Sequence, residues 1–119
     1  MIKITTQSVI EGLTAIVDEF GKDYVYPRKE GAFPQCVYAH DGEPHCIVGK
    51  FLHSVGVPLG RLELADRIDG GTPAWELITQ LEGEGVLTAE DGGLNILQRA
   101  QSHQDSGIAW GEVLSRVVQ

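Results

Sequence analysis

Residues 36–56 read CVYAHDGEPHCIVGKFLHSVG, and this stretch holds both cysteines and three of the four histidines of the chain. Short apolar alternation, an Asp-Gly turn signal and helical periodicity follow one another along it. Apolar residues recur at helical spacing from Ile47 to Val55, and Gly56 stands where a C-terminal cap is expected. Gly49 lies inside this helix, where glycine is unfavourable, and therefore predicts a close approach by a neighbouring backbone. We predict a strand, a turn and a buried helix that pack as one unit.

Helical periodicity continues on both sides of this unit. Residues 6–20 place their apolar side chains on one face, and either Thr5 or Thr6 can cap the start of that helix. Further along, Thr72 as N-cap and Pro73 as the first helical residue predict another helix start. The other helices are predicted at residues 61–68, 73–83, 94–104 and 108–118. A short strand is also compatible with residues 86–88.

These elements together predict the fold class. We expect a single, mainly helical α+β domain over residues 1–119, with about five to six helices and a small β-hairpin-like element near residues 24–46. The hydrophobic fraction of 42% and the length of 119 residues suit one core. No apolar run reaches the roughly 18 residues of a membrane span, and the start carries no secretory signal. The expected location is therefore the cytoplasm, where both cysteines would remain thiols.

The charge distribution bears on the class of partner. The formal net charge is −8, and residues 61–119 carry ten acidic but only four basic groups. Nucleic acids bind clusters of Lys and Arg, so this balance argues against nucleic-acid binding. A protein partner with basic groups, or simply solubility, explains the acidic balance better. A homodimer is compatible with the sequence. Interface anchors could come from aromatic residues such as Tyr24 and Tyr26, whereas Trp75 and Trp110 fall at core positions of their helices.

Four residues of the central stretch are of the types that bind zinc. Cys36, His40, His45 and Cys46 lie within eleven residues. Structural zinc sites usually use pairs two to four residues apart, whereas each cysteine here stands alone. We therefore predict no metal and no other cofactor, with these four residues as the candidates if a zinc ion binds.

Two further possibilities concern the cysteines. At the start of a helix, Cys46 would have a lowered pKa and could act as a nucleophile. The sequence offers no oxyanion-hole motif and no orienting third group, so we predict no catalytic residues and no enzymatic activity. A bridge between Cys36 and Cys46 across the turn is the remaining alternative.

A DNA-binding fold is the main competing interpretation. Two helices at residues 61–68 and 73–83, followed by a possible hairpin, imitate a winged helix-turn-helix. The second helix would be the recognition helix, yet its polar positions carry no Lys or Arg to contact phosphates or guanine. Those positions are Glu76, Thr79, Gln80, Glu82 and Glu84.

Several segments together resemble a known family. They are residues 36–38, 41–49, 52–58, 100–107 and 110–112, within a region from Tyr24 to Leu114. In these segments the chain resembles small uncharacterised proteins encoded by actinobacteria and their phages. In that family serine is more common than histidine at the position of His45, and histidine is more common than lysine at the position of Lys50. The resemblance implies a phage-encoded accessory protein that binds a host or phage protein in the host cytoplasm. The alternatives are a winged-helix-like nucleic-acid-binding regulator and a zinc-binding module.

Overall fold

The computed structural model describes residues 1–26, 37–40, 42–67 and 72–118. In chain order the elements are β1 (Ile2–Ile4), α1 (Thr6–Phe20), β2 (Ala39–His40), β3 (Glu43–Pro44), α2 (Ile47–Ser54), α3 (Leu59–Asp66), α4 (Ala74–Gly83), β4 (Leu87–Ala89), α5 (Asp91–Asp105) and α6 (Trp110–Val117). The predicted mainly helical α+β class is confirmed. Among the described residues, no helix is both long and apolar enough to cross a membrane.

Two strand–helix units lie side by side at the start of the two longest helices. β1 pairs in parallel with β4, with Ile2 opposite Leu87, and each strand leads through one residue into a 15-residue helix. Thr5 caps α1 through a reciprocal pair of hydrogen bonds with Ser8. Gly92 lets the two helix starts approach closely, because a Cβ there would collide with the hydroxyl of Thr6. The pairing of the two strand–helix units therefore joins two distant parts of the chain.

The predicted hairpin and its helix are present at the centre of the chain. β2 and β3 pair antiparallel, and Gly42 takes the left-handed conformation that their turn requires (φ 78°). The predicted close approach at Gly49 is confirmed, since a Cβ there would collide with the carbonyl group of Tyr38. The rest of the predicted element, residues 27–36 and Asp41, lies outside the described residues.

The helices bury one connected hydrophobic core. Trp110 lies fully inside it, as its position in α6 predicts. The same prediction is wrong for Trp75, whose surface is 52% exposed. The buried face of α4 already contains four residues at positions i, i+3, i+4 and i+7, which complete an apolar stripe without the tryptophan. These residues are Ala74, Leu77, Ile78 and Leu81.

The start of α4 also differs from the prediction. Pro73 occupies the N-cap position, and the hydroxyl of Thr72 donates a hydrogen bond to the carbonyl of Ala65 instead of capping the helix. The hairpin that a winged helix needs is not formed after α4, because β4 pairs in parallel with β1 and α5 begins at Asp91. The predicted helix over residues 94–104 is confirmed, within the longer α5.

Candidate functional site

The candidate zinc ligands do not come together as a metal site in the part of the chain that the structure describes. His40 and His45 lie on the hairpin with their ring centroids 5.3 Å apart. Nδ1 of His45 is 2.6 Å from the hydroxyl of Tyr26, so one of its two nitrogens is already hydrogen-bonded within the protein. Cys36 lies outside the described residues, and those described contain no group of three His, Cys, Asp or Glu side chains placed to hold a metal ion.

Cys46 has a structural position at the start of α2. Its side chain is fully buried, and its Sγ accepts a hydrogen bond from the backbone N–H of Gly49 at 3.3 Å. Cys46 is disulfide-bonded, so the expectation of a free thiol is wrong at this residue. The only other cysteine of the chain is Cys36. A disulfide sulfur is neither a thiolate nucleophile nor a thiolate ligand for zinc. These contacts give Cys46 a role in packing.

Tyr26 fastens the hairpin to the segment that follows α1. The backbone N–H of Val37 donates to its hydroxyl oxygen at 3.3 Å, and burial raises the pKa of Tyr26 to about 12. The hydroxyl therefore keeps its proton at neutral pH and can donate it to Nδ1 of His45. Of the two tyrosines considered as anchors, Tyr26 is buried and Tyr24 is partly buried.

Buried glutamines of α5 cap two other helices, a feature that the sequence analysis missed. Oε1 of Gln104 accepts from the N–H of Ile47 at the start of α2, at 2.8 Å. Oε1 of Gln101 accepts from the N–H of Ala74 at the start of α4, at 2.7 Å, and its amide nitrogen donates to the Tyr38 hydroxyl at 2.8 Å. The only signal in the sequence is the three-residue spacing of these glutamines on an otherwise apolar helix face.

Trp75 is the aromatic side chain best placed to meet another molecule. Its backbone N–H donates to Oε1 of Gln98 at 2.9 Å, and its carbonyl accepts from the Thr79 hydroxyl at 2.7 Å. The helix turn that carries the indole is therefore held by contacts on both sides. We define the α4 surface as Trp75, Glu76, Thr79 and Glu82, which lie on the part of α4 that faces away from its buried stripe.

Phe20, the other large exposed aromatic side chain of the described residues, is partly covered by contacts with neighbouring side chains. Nζ of Lys50 lies 4.3 Å from the centroid of its ring. The ring also contacts Tyr24 and Trp110, each with a centroid distance of 5.5 Å. Phe20 is 37% exposed, against 52% for Trp75. The α4 surface is therefore the stronger candidate for an interface.

The segment around the α4 surface is uniformly acidic. Residues 68–98 contain six Asp and Glu side chains and no Lys, Arg or His. Two of these carboxylates are engaged within the protein: Glu84 pairs with Arg61 at 2.7 Å, and Glu90 accepts from the N–H of Thr6 at 2.7 Å. The side chains of Glu76 and Glu82 form no ion pair or hydrogen bond with any described residue. They remain available to a cation.

Comparisons of the chain with protein-family models, curated proteins and solved structures give no match. The candidate site therefore rests on the geometry of the described residues.

Proposed function

We propose that this protein is a non-enzymatic accessory protein of an actinobacteriophage that binds a host or phage protein. The observation that supports the proposal is the exposed indole of Trp75, presented by a helix whose first turn is held by Gln98 and Gln101. Tryptophan is enriched among the residues that dominate protein interfaces, because it buries a large area with few rotatable bonds.

The surroundings of Trp75 favour a protein partner over a nucleic acid. The α4 surface carries Glu76 and Glu82 and no basic group, and a phosphate backbone would be repelled there. The described structure also lacks the wing that a winged-helix protein would place beside α4. Both observations support the interpretation of this helix as a protein contact.

Affinity capture from host lysate tests the proposal if it includes matched variants. The wild-type protein, Trp75→Ala and Val118→Ala are compared, since Val118 is also exposed, by 42%, but lies at the end of α6. We expect at least one identified protein to be captured by the wild type and by Val118→Ala and lost with Trp75→Ala. The absence of a reproducible partner would contradict the proposal, and equal capture by all three baits would contradict Trp75 as its contact.

The alternatives predict other results. A nucleic-acid-binding regulator would shift duplex DNA at low salt, where electrostatic attraction is strongest. A zinc-binding module would contain stoichiometric zinc by elemental analysis of the purified protein. We expect neither, and either result would replace the proposal. A homodimer through the α4 surface would appear as a concentration-dependent mass in light scattering that Trp75→Ala abolishes.

A further inference from the structure

We propose that the partner of the α4 surface is a protein segment with two arginine or lysine side chains about 10 Å apart, one on the ring of Trp75 and one at Glu82. This inference rests on the proposed function and specifies the chemistry of the partner. Three observations support it: the exposed indole of Trp75, the distance from it to the carboxylate of Glu82, and the two carboxylates that no described residue pairs.

The face of the Trp75 ring is preorganised to receive a cation. Trp75 is 52% exposed while its backbone is fixed by Gln98 and Thr79. A guanidinium or ammonium group over an indole ring is attracted by the negative face of the π-system, and tryptophan is the strongest of the aromatic side chains in this respect. Phe20 shows the same chemistry within the chain, since Lys50 lies over its ring.

The two contact points, Trp75 and Glu82, are separated by about two turns of α4. Trp75 and Glu82 are seven residues apart on α4, which places them on the same side of the helix and about 10.5 Å apart along its axis. An extended partner covers this distance with three residues, and a helical one with two turns. Thr79 lies between the two points, and its small side chain leaves room for the partner's backbone.

The negative charge of the α4 surface is not paired by any described residue. Glu76 lies beside Trp75, and neither it nor Glu82 is neutralised by a described residue. Residues 68–98 contain no Lys, Arg or His, and the nearby Arg61 is already paired with the carboxylate of Glu84. This surface therefore favours a cation over an acidic or phosphorylated segment. The positive charge of the partner therefore follows from the charge that this surface leaves uncompensated.

Two-dimensional ¹⁵N NMR of the tryptophan indoles tests this chemistry directly. The probe is a ten-residue synthetic peptide with two arginines three residues apart, compared with the same peptide carrying glutamine in their place. We expect the Trp75 indole signal to shift in a saturable manner with the arginine peptide alone. The buried Trp110 provides an internal control in the same spectrum and should not move.

Charge variants separate the specific contact from general attraction to an acidic protein. Glu82→Gln should weaken peptide binding by about 2- to 5-fold, as expected for an exposed ion pair. Glu11→Gln changes the net charge equally on the exposed face of α1, and should leave the affinity unchanged. Equal effects of the two variants, or equal shifts with the glutamine peptide, would overturn the inference.

The two proposals fail in different ways. If an identified partner depends on Trp75 but its binding is insensitive to salt and to Glu82→Gln, the cationic partner is wrong and the protein-binding function stands. If no host or phage protein is reproducibly captured, the protein-binding function is wrong, whatever the peptide titration shows.

Discussion

Replacement of Gln101 by leucine should destabilise the fold more than the same replacement of Gln98, its neighbour on α5. The side chain is buried, and it joins the start of α4 to the hairpin through Ala74 and Tyr38. Leucine fills nearly the same volume but leaves the N–H of Ala74 buried without an acceptor. An unsatisfied buried donor costs about 1–3 kcal/mol, and the lost bond to the Tyr38 hydroxyl adds about 1 kcal/mol.

The Tyr38 hydroxyl limits the size of this effect. It also donates to the carbonyl of Thr72, so it keeps one partner after the substitution. We therefore expect a loss of about 2–4 kcal/mol in the free energy of unfolding. Urea denaturation followed by circular dichroism measures this quantity, and an unchanged slope would show that the native and unfolded states remain comparable.

Gln98→Leu is the matched control. Gln98 caps the next N–H of the same helix, that of Trp75, but this bond is exposed and water can replace the lost acceptor. The expected cost is about 0.5–1 kcal/mol. If Gln101→Leu costs no more than Gln98→Leu, the buried glutamine does not cap α4 in the way that the geometry indicates.

Two further predictions concern the stretch that contains Cys46 and Gly49. Unreduced, denatured protein should show no free thiol, and two free thiols per chain would contradict the disulfide bond at Cys46. Reduction of the disulfide should lower the free energy of unfolding by about 2–3 kcal/mol, the value expected for a disulfide that closes a short loop. Gly49→Ala should destabilise the fold by about 1–3 kcal/mol because its methyl group meets the carbonyl of Tyr38. Gly60→Ala, in α3 with open space around it, should be neutral or stabilising in the same urea assay, and equal losses would contradict the close contact at Gly49.

The helices were predictable because their apolar residues repeat at helical spacing. The bounds of α1 match the prediction, and the strand–turn–helix unit is present with Gly49 at the expected contact. β1 was not predicted, since three residues carry too little periodicity and its partner β4 lies more than 80 residues away along the chain. The same limit applies to Gln101 and Gln104, whose capping partners are 27 and 57 residues distant.

The candidate site was less predictable than the fold. The helical periodicity predicted a buried Trp75 because this residue lies next to apolar positions of the helix. Only the structure shows that Ala74 already occupies the core-facing position of this turn. The histidines and cysteines were candidate metal ligands because of their residue types alone, and residue type does not determine the geometry of the side chains. His45 is hydrogen-bonded to Tyr26, and Cys46 caps α2 in a disulfide.

The binding of an identified partner to wild-type protein and to Trp75→Ala tests the central claim most directly. A tryptophan at the centre of an interface contributes about 2 kcal/mol or more when truncated, which corresponds to roughly a 30-fold loss of affinity. The partner captured from host lysate would be purified and titrated against wild type, Trp75→Ala and Val118→Ala by calorimetry. The proposal predicts that loss for Trp75→Ala alone. Equal affinities for all three proteins would contradict it.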